Sequence, residues 1–202
     1  MKKGALIVFD GIDGSGKTTQ VKILASYLRK KGLKVAILSE PSSRRYGRII
    51  NKLLRDKNSS NLSKNYWFKL FNLDAMDNLK NEVIPKLKKG FIVLEDRYFY
   101  STLAYQLPIS KWKNYAKKFT KPDLTFIFDV PINIAMKRIA KKYEKDKKKR
   151  TIFENVAKLK KTKKFFLLIV KKFRLKRIDA SKSIKEIFKK IKKEVSKIIR
   201  ER

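Results

Sequence analysis

One short stretch holds the residues with the clearest chemistry. Gly11, Gly16, Lys17 and Thr18 stand in the spacing G-x-x-x-x-G-K-[ST], with Ile12, Asp13, Gly14 and Ser15 between the glycines and Thr19 behind. A chance match somewhere in such a chain has a probability of roughly half a percent. Glycines let backbone N–H groups close around phosphate oxygens, and a helix N-terminus beyond them adds its positive end. Lys17 then spans the β- and γ-phosphates of a nucleoside triphosphate, and the Thr18 hydroxyl ligates Mg2+. A plain glycine turn is the alternative, but it needs no Gly-Lys-Thr sequel. A second pair, Asp96-Arg97, closes an apolar run. At the carboxyl end of a strand, Asp96 can hold the water shell of Mg2+ and Arg97 can grip a phosphate bidentately. A strand-end salt bridge is the alternative there. The 202 residues include no cysteine and no histidine. That excludes disulfides, thiolate sites, imidazole acid–base chemistry and Ser-His-Asp triads.

These groups need a frame that joins a strand end, a loop and a helix start. Residues 5–9 read as a short buried strand. Val21, Leu24, Ala25 and Leu28 recur at helical spacing over 17–31, and Gly32 stops the run. Residues 35–38 read as a second strand, 47–55 as helix and 57–63 as a polar loop. Trp67, Leu70, Phe71, Leu79, Val83 and Leu87 predict a long helix over 65–88, bent at Pro85. Strands follow at 91–94 and 124–130, helices at 134–143 and 153–172, and a last strand at 175–178. Ser183 and Glu186 form a capping box for a final helix with the stripe Ile184, Ile187, Phe188, Ile191, Val195 and Ile198. Alternating strands and helices predict an α/β parallel sheet covered on both faces, in one domain over 1–202. No apolar run approaches the ~20 residues of a membrane span, and the start is a poor signal peptide. The expectation is a cytoplasmic protein with no membrane partner.

Charge is lopsided. The chain carries 54 Lys and Arg against 18 Asp and Glu, a net charge of +36. Residues 1–110 hold 21 basic and 9 acidic side chains, and residues 111–202 hold 33 and 9. Such an excess favours polyanion partners. Yet 42 of the 54 are lysines, alongside two Gln and three Met, which resembles a heat-adapted composition. The compositional reading is preferred, and nucleic acid is not the expected partner.

The order of motifs resembles the thymidylate kinase family. The resemblance rests on Phe9-Asp-Gly-Ile-Asp-Gly-Ser-Gly-Lys-Thr-Thr-Gln20, on Glu40-Pro41, and on Asp96-Arg97-Tyr98 leading to Ser101, Ala104, Tyr105 and Gln106. Pro122 to Val130 and Asp179 to Ile184 match later segments. It implies a three-layer P-loop NTPase fold with a five-stranded parallel sheet, the P-loop strand central, and a short basic lid near 141–152. It also implies ATP- and Mg2+-dependent phosphorylation of dTMP to dTDP by a cytoplasmic homodimer. Gly11 to Thr19 would bind ATP, with Thr18 and Asp96 serving the metal. Asp13 would receive the sugar 3′-OH, although it can also bond to its own loop. Phe71 would stack on the thymine ring, and Arg97, Ser101, Tyr105 and Gln106 would surround the acceptor; both aromatics also fit a helical core. Lys17, Arg97 and Arg150 are the expected catalytic cations. Arg150 is the only arginine among residues 141–150, seven of which are basic, although such a run also fits a solvated loop. Arg138 is the second candidate. Rival functions are another pyrimidine nucleotide or deoxynucleoside kinase of this fold, or a nucleic-acid-binding P-loop ATPase.

The chain departs from the family at several points. Gly14 replaces an arginine found in one branch, and Ala75 replaces the arginine that reads the base edge, with Asn72 or Asp74 as candidate substitutes. Asn51 also replaces an arginine. The expected phosphate-binding arginine near Glu40-Pro41 is then Arg44, Arg45 or Arg48. The weakened base edge predicts relaxed thymine preference.

Overall fold

The computed structural model describes residues 4–146 and 151–200. β1 (Ala5–Gly11) leads through the glycine loop into α1 (Lys17–Lys30), followed by β2 (Val35–Ser39), α2 (Arg45–Leu53), α3 (Lys64–Asn78), α4 (Ile84–Lys88) and β3 (Ile92–Asp96). Then come α5 (Phe99–Gln106), α6 (Trp112–Ala116), β4 (Leu124–Asp129), α7 (Ile132–Asp146), α8 (Val156–Phe173), β5 (Lys176–Asp179) and α9 (Ile184–Arg200). The five strands are parallel, in the order β2-β3-β1-β4-β5. This is the helix-flanked parallel sheet that the alternation predicted, with β1 at its centre.

All seven residues of β1 are buried, as a strand covered on both faces requires. Its neighbours β3 and β4 lie on opposite sides. The crevice therefore opens at the carboxyl end of β1, where the winding reverses. Register sets Phe9 beside Asp96, so the loop after β1 and the turn after β3 leave the sheet together. A smaller apolar cluster of Ile50, Leu54, Trp67 and Leu70, joined by Phe71, Ile152 and Phe153, packs α2 and α3 against the segment after residue 150.

Some elements differ from the sequence reading. The expected helix over 65–88 is divided by a π-helical turn at Leu79–Val83. Pro85 has no N–H to donate and its ring crowds the carbonyl four residues back, so the widened turn just before it absorbs the mismatch. The helix expected from 153 starts at Val156, because Asn155 caps it by accepting from Lys158 N at 2.9 Å. Glu154 is engaged elsewhere, accepting from Tyr143 Oη at 2.6 Å and Thr151 N at 2.7 Å. Residues 144–146, expected beyond the end of the helix and within the lid, continue α7; Glu144 is a good helix former. The capping box of α9 forms as expected, with Ser183 N donating to Glu186 at 3.0 Å and Glu186 N to Ser183 Oγ at 3.3 Å. Ile184 departs from its stripe and is 56% exposed. Among the described residues, no helix is long and apolar enough to cross a membrane.

Candidate active site

The glycine loop is shaped by positive φ angles at Gly14 (73°) and Gly16 (91°), which side-chain-bearing residues rarely adopt. A Cβ at Gly14 would stand 2.4 Å from the carbonyl oxygen of Ala135 in α7. An arginine therefore cannot occupy this position unless α7 moves. Lys17 opens α1 and is buried at 5% exposure. Its Nζ donates to the carbonyls of Gly11 (3.0 Å) and Ile12 (2.8 Å) and to Ser15 Oγ (3.2 Å). Burial, reinforced by the Arg97 charge, lowers the Lys17 pKa to about 8 against the pull of Asp96, Asp13 and Asp10. A neighbouring phosphate favours the charged form. The Thr18 hydroxyl donates to the Asp96 carboxylate, so these two hard oxygen groups sit together. Mg2+ typically uses one or two carboxylates, water and substrate phosphates, and this donor set fits it.

Arg97 lies in the turn between β3 and α5 with φ 76°, an unusual conformation for a non-glycine residue. Its guanidinium donates to Gly11 O at 3.2 Å, to Ser101 Oγ at 2.9 Å and to Asp13. Burial would raise Asp13, but the Arg97 and Lys17 charges outweigh it and hold the carboxyl below its usual range. Beneath lies Asp10, fully buried. It accepts from the backbone N–H groups of Gly11 (2.8 Å), Tyr98 (3.2 Å) and Ser101 (3.0 Å) and from Ser101 Oγ (2.7 Å). Asp10 thus ties the Arg97 turn to β1. Asp10→Ala orphans several of these donors and is expected to cost about 2–4 kcal/mol of stability, read from urea unfolding. A loss under about 0.5 kcal/mol, the size of an ordinary surface change, would remove Asp10 as the anchor.

Two cavities meet here. The larger, ≈ 690 Å³, extends from the glycine loop and Lys17 to Arg138, Lys182 and Ile184. The smaller, ≈ 210 Å³, is bounded by Phe71, Thr102, Tyr105, Gln106 and Phe153. Asp13, Glu40, Pro41, Arg97 and Lys142 line both. The Tyr105 ring stands 6.0 Å from the Arg97 guanidinium and edge-on to Phe153 at 5.8 Å. Gln106 Oε1 is buried and has no hydrogen-bond partner among the described residues.

The residues expected at the site are thus brought together from Gly11 to Thr19, at Phe71, at Asp96 and Arg97, and at Ser101, Tyr105 and Gln106. Arg150 lies outside the described residues. Arg138 sits at the larger cavity, where Nη1 donates to Ala180 O at 3.0 Å and Gly14 O at 3.5 Å. Three expectations are corrected. Arg44 is taken by Asp77 (2.5 Å) and Glu82 (3.4 Å). Arg48 donates to Ser43 O at 3.3 Å, and Arg45 stands over the Tyr46 ring; none of the three lines the smaller cavity. Asp74 cannot replace the missing base-edge arginine, because its carboxylate accepts from Ser42 N (2.8 Å) and Ser42 Oγ (2.5 Å). Ala75 packs in the core at 1% exposure, and neither it nor Asn72 lines the cavity.

The sequence reading overlooked Thr102, Tyr143, Phe153 and Glu154 as cavity-lining residues. Thr102 was detectable, since it shares a helical face with Tyr105 and Gln106 at spacings of three and four. The others carry no local signal, because they reach the cavity from across the fold.

The sequence model of the thymidylate kinase family matches residues 9–191. The chain is 38% identical to the thymidylate kinase of Thermosipho africanus, over 95% of this chain and 97% of the relative. It is 36% identical to the thymidylate kinase of Leptospira borgpetersenii serovar Hardjo-bovis, over 93% and 91%. It is 34% identical to a probable thymidylate kinase of Archaeoglobus fulgidus, over 96% and 94%. Likeness along nearly the whole chain, on a parallel sheet whose crevice opens beside Lys17 and Arg97, has one consequence: this chain belongs to the thymidylate kinase family.

Proposed function

We propose that the larger cavity binds ATP, the smaller binds dTMP, and the γ-phosphoryl passes in line between them to give ADP and dTDP. The carrying observation is that the two cavities share Asp13, Arg97 and Lys142, so reacting phosphates would meet beside fixed positive charge. The acceptor phosphate is already an anion at neutral pH. Positioning and charge neutralisation therefore carry the rate, which suits a chain with no histidine.

Each residue has a part in this reading. Lys17 bridges the β- and γ-phosphates, and the loop's N–H groups hold their oxygens. Thr18 and Asp96 hold Mg2+, which supplies charge neutralisation on the phosphates when bound. Arg97 grips the acceptor phosphate and offsets charge as the phosphoryl group moves. Asp13, kept ionised by Arg97 and Lys17, accepts the sugar 3′-OH. Phe71 stacks on the base, while Tyr105 closes the sugar side and Thr102 and Gln106 face the ring. Any side chain at position 14 would run into α7, which leaves the remaining cation to the lid, and Arg150 is assigned that role. The family resemblance further supports a homodimer in the cytoplasm.

Thymine selectivity should be relaxed, since Ala75 lies in the core. A charged hydrogen bond missing from the base edge is worth roughly 1.5–3 kcal/mol, one to two orders of magnitude in discrimination. With only a methyl group left to distinguish them, dUMP is expected within about 100-fold of dTMP in kcat/KM. Comparing dTMP, dUMP, dCMP and dGMP tests this reading. A preference for dGMP would overturn the stacking role of Phe71, and a dTMP advantage above about 10⁴-fold would require another base-edge donor.

A further inference from the structure

We propose that Arg55 is the second arginine for the acceptor phosphate, partnering Arg97. Four arginines, at 44, 45, 48 and 55, lie between β2 and α3. Arg44 is neutralised by Asp77 and Glu82, and neither Arg45 nor Arg48 lines the acceptor cavity. Arg55 does line it, in company with Arg97 and Asn51. Its Nη1 donates to Asn51 O at 2.6 Å, so the guanidinium folds back one helical turn towards position 51. Among the described residues it has no carboxylate within ion-pair distance, and its remaining donors are uncommitted to any acid. Its charge reaches Tyr143, another residue of the cavity. The base of this side chain is fixed as well, since Leu54 is buried and its carbonyl accepts from Ile152 N at 3.1 Å. A phosphate dianion is best held by charge-assisted forks from more than one guanidinium. With asparagine at 51, the cation one turn further on serves that purpose.

This proposal rests on dTMP being the acceptor, and the test separates the two. Calorimetric titrations compare dTMP with thymidine, which lacks the phosphate, on wild-type protein, Arg55→Gln and the double variant Asn51→Arg/Arg55→Gln. Arg55→Gln is expected to weaken dTMP about 10- to 100-fold while leaving thymidine within about threefold. The double variant should recover at least about tenfold of that loss. Unchanged ATP affinity in every variant reports an intact fold. Equal losses for dTMP and thymidine, or an unchanged dTMP affinity in Arg55→Gln, would overturn the assignment. Failure of wild-type protein to bind dTMP would instead overturn the acceptor reading.

Discussion

Lys17→Ala is expected to abolish phosphoryl transfer, lowering kcat by at least about 10²-fold at saturating ATP, while the protein stays folded. The magnitude is that of removing one preorganised charge stabiliser. The fold survives because Lys17 contacts acceptors of its own loop, namely Gly11, Ile12 and Ser15. Its charge is itself a burden in the free protein, where burial brings its pKa down from 10.5 to about 8. The folded chain therefore releases this proton before the unfolded chain does. Above pH 8 the unfolded state binds more protons, so wild-type stability rises with pH relative to the alanine variant. Urea midpoints between pH 7 and 9.5 read this difference: the two proteins run parallel at the acid end and diverge above 8. Parallel midpoints throughout would mean Lys17 is not held in a charge-disfavouring site. Wild-type turnover in the variant would remove Lys17 from the reaction.

Arg97→Lys is expected to lower kcat/KM for dTMP by about 10²- to 10³-fold, although the charge is retained. The guanidinium serves Gly11 O, Ser101 Oγ and Asp13 at once. An ammonium lacks the planar fork that holds these while facing a phosphate. Asp13 would also lose the guanidinium that fixes its carboxylate, weakening the hold on the sugar hydroxyl. ATP affinity should change little, since the loop and Lys17 remain. Steady-state kinetics with each substrate varied would read this, and a kcat/KM for dTMP within threefold of wild type would contradict it.

Much of this site could be read from local chain order. The loop from Gly11 to Thr18 and the Asp96-Arg97 pair are contiguous, and each follows a buried strand whose end the sheet must place at one edge. What contiguity cannot show is which charged side chains are already committed. Arg44 looks like a phosphate ligand in sequence, yet Asp77 lies six residues past Phe71 on α3 and captures it. Asp74 looks like a base reader, yet it anchors the Ser42 loop. Asp10 reads as one more motif residue, although it binds the segment after Arg97 through three hydrogen bonds spanning up to 91 positions of chain. Helix limits failed for the same reason. Glu154 was expected to be helical, but its carboxylate is claimed by Tyr143 and Thr151, and Asn155 starts the helix instead. The signals that failed are long-range pairings, which no periodicity encodes.

In the proposed reaction, donor and acceptor occupy two cavities whose phosphate ends meet at Asp13 and Arg97. Adenosine and thymidine joined tail to tail through a chain of five phosphates would span both cavities. Calorimetry with competition from each natural nucleotide measures how such a ligand binds. One molecule should bind per chain and exclude both ATP and dTMP, with affinity well above either alone because the second half binds as a tethered group. A ligand that displaced ATP while dTMP still bound with unchanged affinity would contradict this placement of donor and acceptor.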